Sequence, residues 1–478
     1  MMLFRKTLFV NPPSWQGFDG GAGSRYQAKR EVRSFWYPTW LAQPAALVEG
    51  SRLVDAPPHD LTIDDILAIA RDYELVIIHT SSPTLHGDAK LAEALKNQKP
   101  DTIVGLVGAH AAVLPEQTLQ ASEAVDFVGR KEFDYTCQDV ALGKPLAEIP
   151  GLSWRDWKHD GKIVHNPERE LIHSFDELPS VMDVYARDLD IDKYYIGYLK
   201  HPYVSHYTGR GCPAQCTFCL WPQTVGGHKY RAKSPEAVFR EMQHARALFP
   251  QVKEFFFDDD TFTAYTPRAR EIAKRLGQLG ITWSCNARAN VSYDTLKVMR
   301  DNGLRLLLVG YESGSQHILD NIKKGVRLEQ AREFTRACKQ LGITIHGTFI
   351  LGLPGETHET IKQTIQFARE MDPFSLQVSL AAPYPGTELY RQALENGWFS
   401  EKLDLVNQNG TQTAALEYDG LSRDEIFSYV EKFYKNYYFR PRVIGRIMRT
   451  MLTDRQEMKR RLREGAEFFR FLRLREAV

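Results

Sequence analysis

Cysteine is scarce in this chain, with 6 in 478 residues. Three of them (Cys137, Cys285 and Cys338) are scattered, so no disulfide framework of a small secreted domain is spelled out. They read as small buried hydrophobes. An excess of one charge is also missing. The 61 Lys and Arg balance 60 Asp and Glu, for a net charge of +1, which argues against a nucleic-acid-binding surface. No apolar run reaches the roughly eighteen residues that a membrane-spanning helix needs. The opening Met1–Val10 breaks at Asn11-Pro12-Pro13, too soon for a signal peptide, and reads as a first β-strand. Internal repeats and low-complexity tracts are absent. What remains is ordinary globular material, 43% hydrophobic and 25% charged, long enough for two or three domains.

The other three cysteines stand together in Gly209-Arg210-Gly211-Cys212-Pro213-Ala214-Gln215-Cys216-Thr217-Phe218-Cys219. Three thiolates this close, with no fourth nearby, suit three irons of a [4Fe–4S] cube and leave the fourth iron open for chemistry. A structural zinc would need four ligands, with His206 or His228 completing the set. A cluster with unpaired thiols implies a reducing cytoplasm.

Residues 1–145 alternate strands and helices. Leu8–Asn11, Leu53–Asp55, Leu75–His79, Ile103–Gly108 and Phe127–Val128 read as strands, and Ala89–Asn97 as an amphipathic helix. This is the pattern of an α/β, doubly wound parallel sheet, whose ligands sit at the carboxyl ends of the strands. Residues 146–195 read as a connector with a β-hairpin around Asp160-Gly161. Residues 196–405 alternate again, with strands at Val204–Tyr207, Glu254–Asp258, Thr282–Asn286, Arg305–Gly310, Ile343–Leu351 and Ser375–Ala381. Six such units make a partial TIM barrel, with reactive groups at the carboxyl ends. Residues 406–478 read as a helical region. From residue 440 onward it carries 12 Arg and Lys against 5 Asp and Glu, interleaved with Ile444, Ile447, Met448, Met451, Leu452, Phe468, Phe469, Phe471 and Leu472. Such helices either cap a barrel or lie at an anionic membrane surface.

The cysteine loop follows the first strand of the second domain. Cys212, Cys216, Phe218 and Cys219 match the Cys-x3-Cys-x-aromatic-Cys motif, and here the chain resembles the radical S-adenosylmethionine (SAM) superfamily. The resemblance covers residues from about 200 to 400. It implies that Cys212, Cys216 and Cys219 hold a [4Fe–4S] cluster whose open iron chelates SAM. One electron then cleaves SAM to methionine and a 5′-deoxyadenosyl radical. A reduced flavodoxin or ferredoxin would supply the electron. Asp258 or Asp259, in Phe255-Phe256-Phe257-Asp258-Asp259-Asp260, would receive the SAM amino group. Arg288 would fork onto its carboxylate, or else form a surface salt bridge. Glu312 and Ser313 would contact the ribose or amino acid part. Gly352, in Gly352-Leu353-Pro354-Gly355-Glu356, would let backbone approach the adenine.

The N-terminal sheet is similar to the cobalamin-binding domain that precedes many radical SAM domains. Gly108-Ala109-His110-Ala111-Ala112-Val113-Leu114-Pro115 lies close to that group's Gly-Gly-x-His-x-x-x-x-Pro pattern, which implies cobalamin with His110 near it. The Asp-x-His-x-x-Gly signature of cobalt-ligating proteins is absent, so the resemblance implies binding without that His, or a domain that has lost the cofactor. His79, His86 and His110 lie near the expected rim and read first as polar loop or cap residues. An aromatic, glycine-rich insert, Ser14–Gln27 continuing through Ser34–Trp40, reads as ligand contact or as packing on the second domain. With Asp55-Ala56-Pro57-Pro58 it resembles the radical SAM proteins of bacterial hopanoid biosynthesis. That narrower resemblance implies a cytoplasmic enzyme, peripheral at the inner membrane face, that contracts the glucosamine head group of a hopanoid lipid to a cyclitol ether. The alternatives are a cobalamin-dependent radical methyltransferase on a lipid or small molecule, and a binding protein that uses its cluster structurally.

Overall fold

The computed structural model describes residues 4–14, 28–29, 32–400, 403–453 and 455–476. Strand positions follow the apolar runs. β1 (Thr7–Asn11), β2 (Arg52–Asp55), β3 (Leu75–His79), β4 (Ile103–Val107) and β5 (Phe127–Gly129) are parallel. All but the ends of these strands are buried on both faces, which is why they lack polar alternation. The hairpin β6 (Leu152–Asp156) and β7 (Lys162–His165) adds antiparallel to β5, so the sheet runs β2-β1-β3-β4-β5-β6-β7. The hairpin expected within the connector 146–195 is therefore part of the first sheet. The expected helix after β3 begins four residues earlier, at Leu85, and ends at Gln98.

The second sheet holds β8 (Tyr203–His206), β11 (Glu254–Phe257), β12 (Trp283–Ala287), β13 (Leu304–Glu312), β14 (Thr344–Leu351) and β15 (Ser375–Leu380), all parallel in that order. It forms a half-barrel. Helices between strands start where the capping chemistry says. Ser234 accepts from the Ala237 N–H, and Pro235 opens the helix Pro235–Leu248. A two-residue pair, β9 (Gly209–Arg210) with β10 (Arg231–Ala232), brackets the cysteine loop.

The two domains share one apolar core. Most of the insert, residues 15–27, lies outside the described residues. Its continuation, Ser34–Trp40, packs on the barrel. Tyr37 donates to the Tyr203 carbonyl at 2.7 Å, the Tyr203 hydroxyl donates to the Phe35 carbonyl at 2.7 Å, and Trp36 meets Phe256 edge-on. Those aromatics are buried interface, not ligand wall. The helices Arg423–Tyr438, Pro441–Thr453 and Arg455–Glu476 follow the barrel. The side chains of Phe468, Phe469, Phe471 and Leu472 lie outside the described residues.

Candidate functional site

The cysteine loop leaves β9 at Gly211, whose φ of +87° and close approach to the Lys229 carbonyl leave no room for a side chain. The Gly211 N–H donates to Asp260 at 2.7 Å. Gln223 then gathers the loop. Its amide nitrogen donates to the carbonyls of Cys216 (3.2 Å), Thr217 (3.1 Å) and Cys219 (2.8 Å), and its oxygen accepts from the Glu388 N–H at 2.8 Å. The Thr217 N–H reaches the Ile322 carbonyl. Cys212 and Cys216 are buried, and Cys219 is half-buried.

Among the described residues no three His, Cys, Asp or Glu side chains converge on a point that would hold one ion. A zinc needs all its ligands within about 2.3 Å of one metal, whereas a cube gives each thiolate its own iron. Of the two histidines considered as a fourth zinc ligand, His228 hydrogen-bonds the Cys212 and Ala214 carbonyls through Nδ1, while His206 is buried with Nδ1 3.9 Å from Glu241 and Nε2 without a hydrogen-bond partner.

The carboxylates after β11 have different surroundings. Asp259 is fully buried and engaged on both oxygens, accepting from Thr208 N–H (2.5 Å), Thr208 Oγ1 (2.6 Å) and the Tyr230 hydroxyl (2.6 Å). Asp258 accepts from Asn286 Nδ2 at 2.8 Å, and the same amide donates to the Asp259 carbonyl at 3.0 Å. Arg288, at the end of β12, places Nη1 3.9 Å from Cys216 Sγ and donates through Nη2 to the Lys324 carbonyl. It is a neighbour of the cysteine loop, not a surface salt bridge.

At the end of β13 the ladder to β14 breaks between Gly310 and Glu312, and Glu312 takes φ +63°. A left-handed Glu costs about 1–2 kcal/mol and is held only where the surroundings fix it. Here Lys324 fixes it, donating to Glu312 Oε1 at 2.6 Å in a buried pair. Burial alone would push the Lys324 ammonium down, but Glu312 and the Cys216 thiol outweigh it and the net shift is upward. A Cβ on Gly310 would meet Glu312 Oε1 at 2.2 Å and Lys324 Nζ at 3.0 Å. Sequence reasoning missed Lys324, and Lys323-Lys324-Gly325 carries no local signal for this contact. Ser313 is fully buried. Its hydroxyl meets Thr364 Oγ1 at 3.1 Å and accepts from the Ser315 N–H, so it braces the turn. Phe218 is partly buried against the apolar cluster that contains Ile318, Leu353 and Leu389. At the end of β14, Gly352 has φ +83°. Its N–H and that of Leu353 donate to Glu356, and its carbonyl accepts from Tyr418 at 2.8 Å. Burial pushes the Glu356 carboxyl up to about 8.

The carboxyl edge of the first sheet faces this loop. After β4, Gly108 takes φ +126°, with the Thr80 carbonyl 2.2 Å and His79 Nε2 3.1 Å from where a Cβ would stand. The helix Ala109–Val113 packs on Pro222–Gly226, just past the cysteines. Gly386, in the turn after β15, lies against Val113 and Thr224. A buried charge clasp joins the same faces. Arg210 forks onto Asp134 (2.7 and 3.0 Å) and lies 4.4 Å over Trp40, while Arg231 forks onto Glu132 (2.7 and 2.8 Å). At this edge both ring nitrogens of His79 and Nε2 of His110 are buried without a hydrogen-bond partner. His110 Nδ1 meets Ser82 Oγ at 3.0 Å. Burial pushes His79 down to about 3 and His110 to about 4, so both rings are neutral at neutral pH. Unpartnered buried donors and acceptors at the ligand edge of a doubly wound sheet fit a polar cofactor laid across it.

The radical SAM superfamily pattern matches residues 207–368, and the B12 binding domain pattern matches residues 28–141. An uncharacterized methyltransferase of Pyrococcus horikoshii is 30% identical over 460 residues, 93% of this chain and 94% of that protein. The chain belongs to the radical SAM superfamily. Within it, this protein is of the kind that carries a B12-binding domain, and its cofactors are a [4Fe–4S] cluster, SAM and cobalamin. The cytidylyl-2-hydroxyethylphosphonate methyltransferase of Streptomyces wedmorensis is 28% identical, covering 79% of this chain and 78% of that protein. The hopanoid C-3 methylase of Methylococcus capsulatus is 27% identical, covering 67% and 59%. A radical SAM methyltransferase of Kitasatospora setae, solved with cobalamin and a [4Fe–4S] cluster, shares the fold with a TM-score of 0.67 at 15% identity, over 92% of this chain and 89% of that one.

Proposed function

We propose that this radical SAM protein is a cobalamin-dependent methyltransferase. The observation that carries the reading is the juxtaposition of two ligand edges. Helix Ala109–Val113, at the cofactor edge of the first sheet, packs directly on Pro222–Gly226 behind the cysteines. When bound, the cluster supplies the electron that opens a sulfonium bond of SAM, and cobalamin carries a methyl group.

The chain's own residues hold and orient. Cys212, Cys216 and Cys219 each hold an iron. Asp258, fixed by Asn286, receives the SAM ammonium, since Asp259 is spent on Thr208 and Tyr230. Arg288 and Lys324 offer positive charge to the SAM carboxylate beside Cys216, and the strained Glu312 meets the ribose hydroxyls. Gly352 lets the β14 turn lie against the adenine. Neutral His79 and His110 offer unpartnered ring nitrogens to the cobalamin. Burial of these groups keeps water from a reactive radical.

The relatives named above are methyltransferases, which supports methyl transfer; they lend no support to the hopanoid ring contraction expected from the sequence. The hopanoid methylase is a weak link to a lipid substrate, acted on with a reduced flavodoxin or ferredoxin as electron source. The test is anaerobic reconstitution with SAM, reductant and cobalamin, using a glucosaminyl hopanoid as trial substrate, and mass spectrometry of lipid and nucleoside products. Methyl transfer predicts S-adenosylhomocysteine that depends on added cobalamin. A ring-contracted lipid with 5′-deoxyadenosine and no S-adenosylhomocysteine would overturn it.

A further inference from the structure

The middle one of the three helices after the barrel, Pro441–Thr453, carries with Phe439 before it an apolar surface that the cofactor site does not use. Phe439 is 54% exposed, Ile444 41%, Met448 56% and Leu452 82%. The last three recur at every fourth residue of the helix Pro441–Thr453, so they form one stripe along its outer side. A soluble surface tolerates single apolar residues, but four in a row mark an interaction site. The opposite side of the same helix is fixed to the barrel. Val443 is fully buried, and Arg446 donates to the Pro373 and Phe374 carbonyls at 2.9 and 3.2 Å. The stripe is therefore held outward by a well-anchored inner face.

Two further observations say what covers it. Arg442 and Arg449 are exposed on the same helix, and the charge around it is lopsided. Residues 440–478 carry 12 Arg and Lys against 5 Asp and Glu, whereas the remainder of the chain carries 49 against 55. A basic, apolar-striped helix matches an anionic surface with an apolar interior. Beneath the stripe, moreover, lies a cavity of about 400 Å³ lined by Tyr198, Leu376, Tyr434, Phe439, Ile447 and Met448. The outward stripe and this cavity share Phe439, Ile444 and Met448, so the apolar surface continues into a mainly apolar hollow, whose wall also carries His346, Arg461 and Glu464. Among the described residues no helix is long and apolar enough to cross a membrane.

We propose that the helix Pro441–Thr453 docks this protein on an anionic lipid bilayer, with Phe439, Ile444, Met448 and Leu452 in the headgroup boundary and the cavity beneath open to a hydrocarbon chain. The inference does not rest on methyl transfer. Its readout is binding, and the stripe is remote in sequence from the cysteine loop.

The test is flotation of the full-length, cluster-reconstituted protein with vesicles of phosphatidylglycerol and phosphatidylcholine in equal parts, against phosphatidylcholine alone. The expected result is flotation with the anionic vesicles that weakens as salt rises. The triple variant Ile444→Ser, Met448→Ser, Leu452→Ser should bind about tenfold more weakly or worse, with iron content and melting temperature unchanged. Should that variant unfold, the pair Arg442→Glu, Arg449→Glu takes its place and should also lose vesicle binding. Absence of flotation overturns the proposal, as does equal binding to neutral vesicles that the variants do not weaken. A concentration-dependent dimer in sedimentation velocity, abolished by the triple variant, would overturn it too by making a second copy the occupant of the stripe.

Discussion

Glu356 is a single carboxyl that ties the β14 turn together, and its environment sets a sign that can be measured. It is buried and accepts the Gly352 and Leu353 N–H groups through one oxygen, while Oε1 has no partner. Burial pushes its carboxyl up to about 8, against the lowering by those two N–H groups. Between the ordinary value of 4.5 and about 8 the folded protein keeps a proton that the unfolded chain has released. Stability from this group is therefore full at acid pH and is lost as pH rises through that window. Gln keeps the accepting oxygen and removes the titration. Glu356→Gln should flatten the pH dependence, so that the difference in urea midpoint between variant and wild type grows in the variant's favour from about pH 5 to about pH 8. Parallel pH profiles would sink this reading. At this scale the sequence was legible where chemistry is local. The cysteines and the Gly352 turn announce themselves by spacing and by a residue type that only one backbone conformation requires. Lys324 was silent, because its partner Glu312 lies on a different element and meets it only through the kink after Gly310. The division of labour between Asp258 and Asp259 was silent for the same reason, since Thr208 and Tyr230 decide it from distant positions.

Elements were easier to read than their connections. Apolar runs bounded by Gly, Pro and polar residues set most strands within a residue or two, because a strand buried on both faces has no polar alternation to blur its ends. The hairpin around Asp160-Gly161 was visible by its turn. Its antiparallel addition to β5 was not, because edge pairing depends on which strand is left open by the rest of the sheet. The pair β9 and β10 is two residues long and has no pattern at all, yet it carries the arginines that clasp the two domains. Arg231 holds Glu132 by two bonds inside the protein, both side chains being almost fully buried. Removing one partner of such a pair strands the other charge in a dry site. Arg231→Met should therefore destabilise the protein by about 3–5 kcal/mol. The double change Arg231→Met, Glu132→Leu should recover only part of that loss: it removes the stranded charge, but it leaves the Ile172 and Gly226 carbonyls and the Ile172 N–H without the partners that Arg231 and Glu132 give them. Chemical denaturation of the two variants reads both quantities. A single variant within about 1 kcal/mol of wild type would mean that water or the neighbouring Arg210, 3.7 Å from Glu132, already relieves that charge.

At the scale of the whole molecule, function depends on how two ligand edges meet. The barrel alone can seat a cluster and SAM, and the first sheet alone can offer its unpartnered histidines. Methyl transfer needs the two within reach of each other. Three contacts set that spacing: Ala109–Val113 on Pro222–Gly226, Trp40 stacked on Trp221 with centroids 4.9 Å apart, and Gly386 against Val113. Gly386 is the most exacting. It takes φ +86°, and a Cβ there would stand 2.7 Å from Val113 Cγ1 and 3.0 Å from Thr224 Cγ2. Any side chain must press on Val113, in the helix after β4, and on Thr224, beside the Gln223 that gathers the cysteine loop, while Asp258, Arg288 and Glu312 keep their own supports. If the protein transfers methyl groups as proposed, Gly386→Val should separate the two activities that this reaction couples. Reductive cleavage of SAM to 5′-deoxyadenosine, which needs only the barrel, should stay within a few-fold of wild type. Cobalamin-dependent formation of S-adenosylhomocysteine should fall on the order of a hundredfold, because a displacement of about 1 Å between reacting partners costs that much. Bound cobalamin, read from its visible absorption after gel filtration, distinguishes a shifted cofactor from a lost one. If both activities fall together, the turn supports the barrel itself and the spacing argument fails. If neither falls, the two edges have slack that the packing of Val113 does not suggest.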